Sequence, residues 1–329
     1  MIVFRSAAER PEGLTDTAVA IGNFDGVHIG HAKVLGQTVA LARERGLAPA
    51  VLTFDPHPAA VLNPARAPRL IMTVPQRLAA LQALGIQYVF ALPFSAEFSR
   101  LAPGEFVSQC LVAALRAKAV LVGDDFRFGH DRAGNVDTLR QLGLEVQPAP
   151  AVLWRGVRAS STAIRGLIST GAVNRAARLL GRPFSLVGAV VNGQGIGSRQ
   201  TVPTLNLEPE NELLPADGVY VTRTLEPATG QRWRSITNIG NRPTFGGAER
   251  TFETFLLEPF SEPTPERIEV AFLRYVRSER RFESPEELRA QIIRDAAAAN
   301  RLHRRLERLN GVRENLPWRA PVGAGRQGA

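Results

Sequence analysis

The sequence predicts an α/β protein of two domains: a doubly wound parallel sheet over residues 1–182, then an antiparallel β-barrel with a closing helix over residues 183–312. Three observations carry this reading. The first half alternates short β-rich runs with helical patterns, which is the signature of βαβ units. The second half shows short strand-like runs at regular spacing with turn residues between them. The change falls at Gly181-Arg182-Pro183, in a chain of 329 residues, longer than the ~250–300 residues at which single cores stop growing.

The β-rich runs of the first half are 17–22, 50–54, 88–92, 119–122 and 144–153, separated by helical patterns at 30–45, 76–84, 104–117 and 136–142. Ligands in such sheets bind beyond the carboxyl ends of the strands. A helical pair, 161–169 and 173–180, precedes the break. The barrel runs are 186–192, 204–207, 219–225, 233–239, 251–257 and 267–275. Ser284 as N-cap, Pro285 at the first helical position and Glu287 completing a capping box open the closing helix. Residues 313–329 are rich in Gly, Pro and Arg and read as a disordered tail.

A single cysteine, Cys110, excludes an intramolecular disulfide and a Cys-cluster metal site. No run approaches the ~18 apolar residues of a membrane span, and the first residues lack the apolar stretch of a signal peptide. The expected compartment is the cytoplasm, with no membrane partner. The net charge of +9 comes almost wholly from arginine, since Lys33 and Lys118 are the only lysines. Much of it lies along helices, as at 301–306, where a solvated face is expected. Phosphorylated small-molecule substrates suit such a balance, and a nucleic-acid partner is not expected. Oligomeric state is not legible.

The first chemical constellation is Gly22-Asn23-Phe24-Asp25-Gly26-Val27-His28-Ile29-Gly30-His31, where a strand turns into a helix. Glycines there let backbone approach a ligand. The helix start offers free N–H groups and a positive dipole end. His28 and His31, three apart, share one face and can donate to α- and β-phosphate oxygens as charge develops on them. The pair could instead be zinc ligands completed by His57, His130 or His303, or incidental surface. A Walker-type loop is excluded, because neither lysine stands in Gly-x4-Gly-Lys-Ser/Thr.

Further along, Phe54, Phe126 and Phe128 could wall a flat ring or serve as core. Ser161, Thr162 and Arg165 at a helix start form an anion site or a simple cap. Asp125 is an acceptor for a ligand or a turn aspartate. In the second half, Gly193-Gln194-Gly195-Ile196-Gly197-Ser198-Arg199 is no dinucleotide fingerprint, since Ser198 replaces the third glycine and a strand follows. Pro203-Thr204-Leu205-Asn206 comes next, and Asn238-Ile239-Gly240-Asn241-Arg242 is expected just after a strand. Glu253, mid-strand between apolar residues, is a general-base candidate or an outward-facing glutamate.

Four segments in order resemble the adenylyltransferase module of bifunctional riboflavin kinase/FAD synthetases, within the nucleotidyltransferase superfamily. They are Gly22–His31, Thr53-Phe54-Asp55-Pro56-His57-Pro58, Gly123-Asp124-Asp125-Phe126-Arg127-Phe128-Gly129 and Ser160-Ser161-Thr162-Ala163-Ile164-Arg165. The segments of the second half resemble that family's riboflavin kinase module, together with Arg277-Ser278-Glu279 and Phe282. The two cover nearly the whole chain from Thr17 to about Leu309.

The resemblance implies ATP, as its Mg²⁺ complex, with riboflavin, FMN and FAD as substrates and products. It implies ATP binding by Gly22, Asn23, Phe24, Gly30, Ser161, Thr162 and Arg165, beside the catalytic His28 and His31. It implies flavin binding by Phe54, Pro56, His57, Asp125, Phe126 and Phe128. In the kinase it implies ATP and flavin contacts from Gly193, Gly195, Arg199, Asn238, Arg242 and Arg277, Mg²⁺ on Thr204 and Asn206, and Glu253 as base. Three departures stand out: Thr201-Val202 in place of the family's Gly-Phe, Phe255 in place of a histidine, and no Tyr-Gly pair before the strand at Arg267. The competing readings are an active adenylyltransferase with a degenerate flavin-binding barrel, and a flavin-sensing nucleic-acid-binding regulator.

Overall fold

The computed structural model describes residues 1–6, 9, 13–191, 204–244, 247–258, 263–280 and 282–311. The chain divides into two compact units, Met1–Ser161 and Thr162–Ala329. The helical pair beyond residue 160 therefore groups with the barrel.

The first unit is built on six parallel strands: β1 (Ile2–Phe4), β2 (Thr17–Ile21), β3 (Ala48–Phe54), β4 (Tyr88–Leu92), β5 (Ala117–Gly123) and β6 (Glu145–Ala149). Their order is β1-β4-β3-β2-β5-β6. The chain moves from β2 through β3 to β4 on one side, then returns to lay β5 on the other side of β2. That reversal is the topological switch point, and the crevice at the strands' carboxyl ends opens there. β2 is buried along its whole length, as a central parallel strand covered on both faces must be. The strand expected over 144–153 stops at Ala149. Pro150 has no N–H to continue the ladder, and Pro148 is tolerated because β6 is an edge strand.

Alternation along the strands sends two sets of side chains to opposite faces. Val19, Ile21, Leu52, Phe90, Val120 and Val122 meet a helix formed by α4 (Pro103–Glu105) and a wide π-type continuation, Phe106–Ala114, with Leu139 of α5 (Val136–Gln141). Ala20, Val51, Val89 and Ala91 meet Leu35 of α1 (Ile29–Arg45) and Leu81 of α3 (Val74–Ala83), and α2 (Pro58–Leu62) follows β3. Cys110 lies inside the first of these clusters, and burial pushes its thiol up to about 11. A thiol held protonated is packing, not a nucleophile. A two-residue hairpin pairs β7 (Leu153–Trp154) with β8 (Val157–Arg158).

The second unit takes all but the first residue of α6 (Ser161–Ser169), then α7 (Val173–Leu180). Six antiparallel strands then close a barrel: β9 (Phe184–Val191), β10 (Thr204–Pro209), β11 (Gly218–Leu225), β12 (Arg232–Thr244), β13 (Gly247–Leu256) and β14 (Arg267–Arg277), in the order β10-β13-β12-β11-β14-β9. Tyr220, Phe184 and Phe272 pack together. Beside them Thr222, Thr224, Ser235, Thr237 and Thr254 are buried and satisfy one another at 2.8–3.0 Å. On the opposite face Val219, Val221 and Ile236 carry α8 (Pro285–Gly311) through Ala299. Ser284 caps α8 as expected, accepting from Glu287 N–H at 3.2 Å, while the Glu287 carboxylate accepts from Glu283 N–H rather than from Ser284.

His303 of α8 is fully buried. Burial first, then the positive charges of Arg223 and Arg234, hold its pKa below the ordinary histidine value, against the opposing pull of Thr222 backbone and Glu307. An unfolded chain takes up that proton near pH ~6.5. Between the folded and unfolded pKa values the unfolded state binds more protons, so stability falls as the pH falls through this window. Chemical denaturation at about pH 7.5 and about pH 5 is expected to show a loss in acid that His303→Leu reduces. An identical loss in the variant would assign it to other groups.

Candidate active sites

In the first unit the residues after β2 fold into a turn whose side chains and backbone are tied from several elements. His28 is the N-cap of α1, and its Nδ1 accepts from Gly30 N–H at 3.1 Å and His31 N–H at 3.2 Å. These amides were expected to be free for a phosphate, and the structure corrects this: the capping imidazole takes them. With Nδ1 an acceptor, the neutral ring carries its proton on Nε2. The His31 ring stacks on His28 at 3.7 Å between centroids, with Phe24 edge-on to His31 at 5.2 Å. A Cβ on Gly30 would stand 3.0 Å from the His28 ring, so a larger residue there would press on the cap. Phe24 is buried in the core beneath the turn, so it supports His31 from below.

The sequence-predicted residues around this turn converge in part. The Asn23 amide lies 3.1 Å from His57 Nε2, and His57 Nδ1 caps α2 through Ala59 N–H. Pro56 follows a cis peptide beside them. Ser161 Oγ donates to the Asp25 carbonyl at 2.8 Å, and Thr162 and Arg165 continue the same helix in the second unit. Phe54, Phe126 and Phe128 belong to one aromatic group. Phe54 meets Phe94 and Phe98 edge-on at 5.4 and 5.5 Å. Phe98 leads through Phe106 to Phe128, on which Phe126 stacks at 5.5 Å. Phe128 is core, whereas Phe54 and Phe126 are half-buried at the carboxyl-end side of the sheet.

Phe94 and Phe98 escaped the sequence reading, although Pro93-Phe94 directly follows the β4 run. Asp125 is engaged by Arg158 of β8 at 2.8 Å, a partner that chain order does not reveal. Arg77 also escaped notice. It stands four residues before the buried Leu81, a spacing that places it on the inner face of α3.

In the barrel, strand register assembles the second site. Asn206 of β10 pairs with Glu253 of β13, and Glu253 pairs with Asn238 of β12. Paired residues face the same side, so the amides and the carboxylate stand in one row, with Thr204 two residues along the same face. All four are half-buried, while the alternate residues Leu205, Phe252 and Thr254 are buried. The run read over 233–239 extends to Thr244 as β12, and Asn238, inside that run rather than after it, pairs with Glu253.

Arg277 closes the row through its pairing with Val219, and its guanidinium is engaged by Asp295 of α8 at 2.8 and 3.1 Å and by the Ser278 carbonyl. That bond ties β14 to α8. Glu279, unremarked on its own in the sequence, has its carboxylate over Gly240, where any Cβ would collide with it. Arg242 lies in β12 opposite Glu249. Gly193, Gly195, Arg199 and Thr201 lie outside the described residues.

One constellation stacks two imidazoles at a strand-to-helix turn. The other sets amide oxygens and a threonine hydroxyl in a row with a carboxylate. Joined in one chain, on a doubly wound sheet and a closed barrel, they define a two-domain nucleotide-dependent transferase. Residues 10–163 match the FAD synthetase family and residues 180–303 the riboflavin kinase family. A bifunctional riboflavin kinase/FMN adenylyltransferase of Escherichia coli strain K12 is 35% identical over 289 residues, covering 85% of this chain and 91% of that protein. One from Pseudomonas fluorescens is 36% identical over 287 residues, covering 86% and 91%. A crystal structure described as a macrolide-efflux protein from Streptococcus pneumoniae superposes with a TM-score of 0.83 at 29% identity, covering 91% of this chain and 98% of that one. The chain belongs to the bifunctional riboflavin kinase/FMN adenylyltransferase family. Among the described residues no helix is long and apolar enough to cross a membrane.

Proposed function

We propose that the sheet domain, with the helical pair up to residue 182, adenylylates FMN, and that the barrel, residues 183–312, phosphorylates riboflavin. The chain is a transferase that makes FAD in two ATP-dependent steps. The observation that carries the first assignment is the stacked His28–His31 pair at the switch point of the sheet. An FMN phosphate oxygen attacks the α-phosphorus of ATP and pyrophosphate leaves. His28, through Nε2–H, and His31 donate to the oxygens on which charge grows. Gly22, Asn23 and Gly30 let the nucleotide approach the backbone, and Ser161, Thr162 and Arg165 are the residues assigned to its phosphates. Phe54, Phe126, Pro56 and His57 receive the flavin.

In the barrel, Glu253 takes the proton of the ribityl 5′-hydroxyl as that oxygen attacks the γ-phosphorus and ADP leaves. Thr204 and Asn206 fit Mg²⁺, a hard cation usually held by one or two protein oxygens plus substrate phosphates. When bound with ATP it neutralises charge on those phosphates. Asn238 holds the flavin or nucleotide beside Glu253. Cytoplasmic location, without membrane or nucleic-acid partners, belongs to this reading: phosphate-bearing substrates account for a basic protein of net charge +9. Feeding the intact chain riboflavin with Mg²⁺–ATP is expected to yield FMN and ADP, and feeding FMN to yield FAD and pyrophosphate, both followed by chromatography. FAD from FMN without FMN from riboflavin would replace this reading by a degenerate barrel.

A further inference from the structure

The turn that carries His28 and His31 is held in an unfavourable backbone form. Phe24 has φ +50° and Val27 has φ +36°. A left-handed conformation is unfavourable for a non-glycine residue, and a β-branched residue there is an outlier. Such residues persist only where their surroundings over-determine them. The surroundings here are bonds from four segments. Arg77 Nη1 of α3 donates to the Asn23 carbonyl at 3.2 Å, and Thr53 Oγ1 of β3 donates to the same oxygen at 3.3 Å. The Asp25 carboxylate accepts from Ile71 N–H at 2.9 Å and Met72 N–H at 3.3 Å. Ser161 Oγ holds the Asp25 carbonyl.

Two of these groups are charged side chains that water scarcely reaches: Asp25 is 2% exposed and Arg77 5%. Burying a guanidinium is costly unless it is well partnered. Burial lowers the Arg77 pKa, against the favourable charges of Asp55 and Asp25. Its Nε–H has no hydrogen-bond partner among the described residues. An apolar side chain would fill the inner face of α3 at less cost, so packing does not explain this residue. Its side-chain hydrogen bond to the carbonyl that begins the strained turn does.

We infer that Arg77 and Asp25 are positioning residues for adenylyl transfer: they clamp the turn from Asn23 to Val27 and thereby fix His28 and His31 against the nucleotide phosphates. The inference rests on the reading of the two histidines given above. Released from Arg77, the Asn23 carbonyl swings, Phe24 and Val27 relax toward ordinary φ values, and the imidazoles lose register. A displacement of about 1 Å at a reacting centre can cost ~10²-fold.

The test compares Arg77→Met, which keeps the bulk of the stem, Arg77→Lys, which can still reach the carbonyl, and His31→Ala, all in the full chain. In Arg77→Met, kcat for FAD formation is expected to fall about 10–100-fold. The KM for FMN should stay within about twofold and FMN formation from riboflavin should be unchanged, because the aromatic group and the barrel do not depend on Arg77. Arg77→Lys recovers much of the loss. In a His31→Ala background Arg77→Met costs little more, since it acts through the histidine. A wild-type kcat in Arg77→Met, or an effect that adds fully to that of His31→Ala, overturns the inference and leaves the histidine reading standing. Full FAD formation in His31→Ala overturns the histidine reading itself. Should Arg77→Met not fold, the near-isosteric Thr53→Val removes the second bond to the same carbonyl. A several-fold fall in kcat is then expected, and no fall would sink the clamp.

Discussion

Glu253→Gln is expected to slow the conversion of riboflavin to FMN by roughly 10²–10⁴-fold, the usual contribution of a general base. A hydroxyl is a poor nucleophile at neutral pH, and Glu253 is the carboxylate of the row formed with Asn206 and Asn238. Glutamine keeps the size and strand pairing of the residue and removes only the basic oxygen. FMN adenylylation should be nearly untouched, because that chemistry resides in the other unit. Thr204→Ala should also weaken the kinase, and added Mg²⁺ should then recover part of the rate, as expected of a residue proposed to act through the metal–nucleotide complex. Added Mg²⁺ should not help Glu253→Gln. Equal rates for Glu253→Gln and the unmodified chain, measured as FMN formed per minute, would remove Glu253 as the base.

His31→Ala should lower FAD formation from FMN by roughly 10²–10³-fold, equivalent to about 2.7–4 kcal/mol of transition-state stabilisation. His28→Ala should do at least as much, for a reason specific to this fold. His28 is proposed above as a donor through Nε2–H and is also the cap that accepts from Gly30 and His31 N–H. Losing a cap typically costs about 1 kcal/mol of local stability, so this variant should lose rate and loosen the start of α1 together. FMN formation should persist in both. A parallel loss of both activities would point to a folding defect. Stoichiometric zinc in the purified protein would restore the metal-ligand reading of the histidine pair.

The legible part of this protein was what local pattern specifies. Alternating strand and helix runs gave the parallel sheet, and regular short runs gave the barrel. The Ser284 cap was visible three residues from its partner Glu287. The histidine pair could be placed at a strand-to-helix turn because glycines and a β-run flank it. Each of these signals lies within about one turn or one strand, where propensity and periodicity act.

Other features depended on segments far apart in the chain. Asn206, Glu253 and Asn238 form a row only because three strands pair in one register, and a slip of one residue would send Glu253 to the other face. Asp125 meets Arg158, and Phe54 meets Phe94 and Phe98, through sheet order rather than sequence order. The role of His28 as a cap, which withdraws two amides expected to be free, follows from its rotamer in the folded turn. Arg77 reads in sequence as one more helix arginine. Only tertiary packing buries it beneath the Asn23 carbonyl, because burial and long-range hydrogen bonding are decided when α3 docks on the sheet and not by the residues on either side of it.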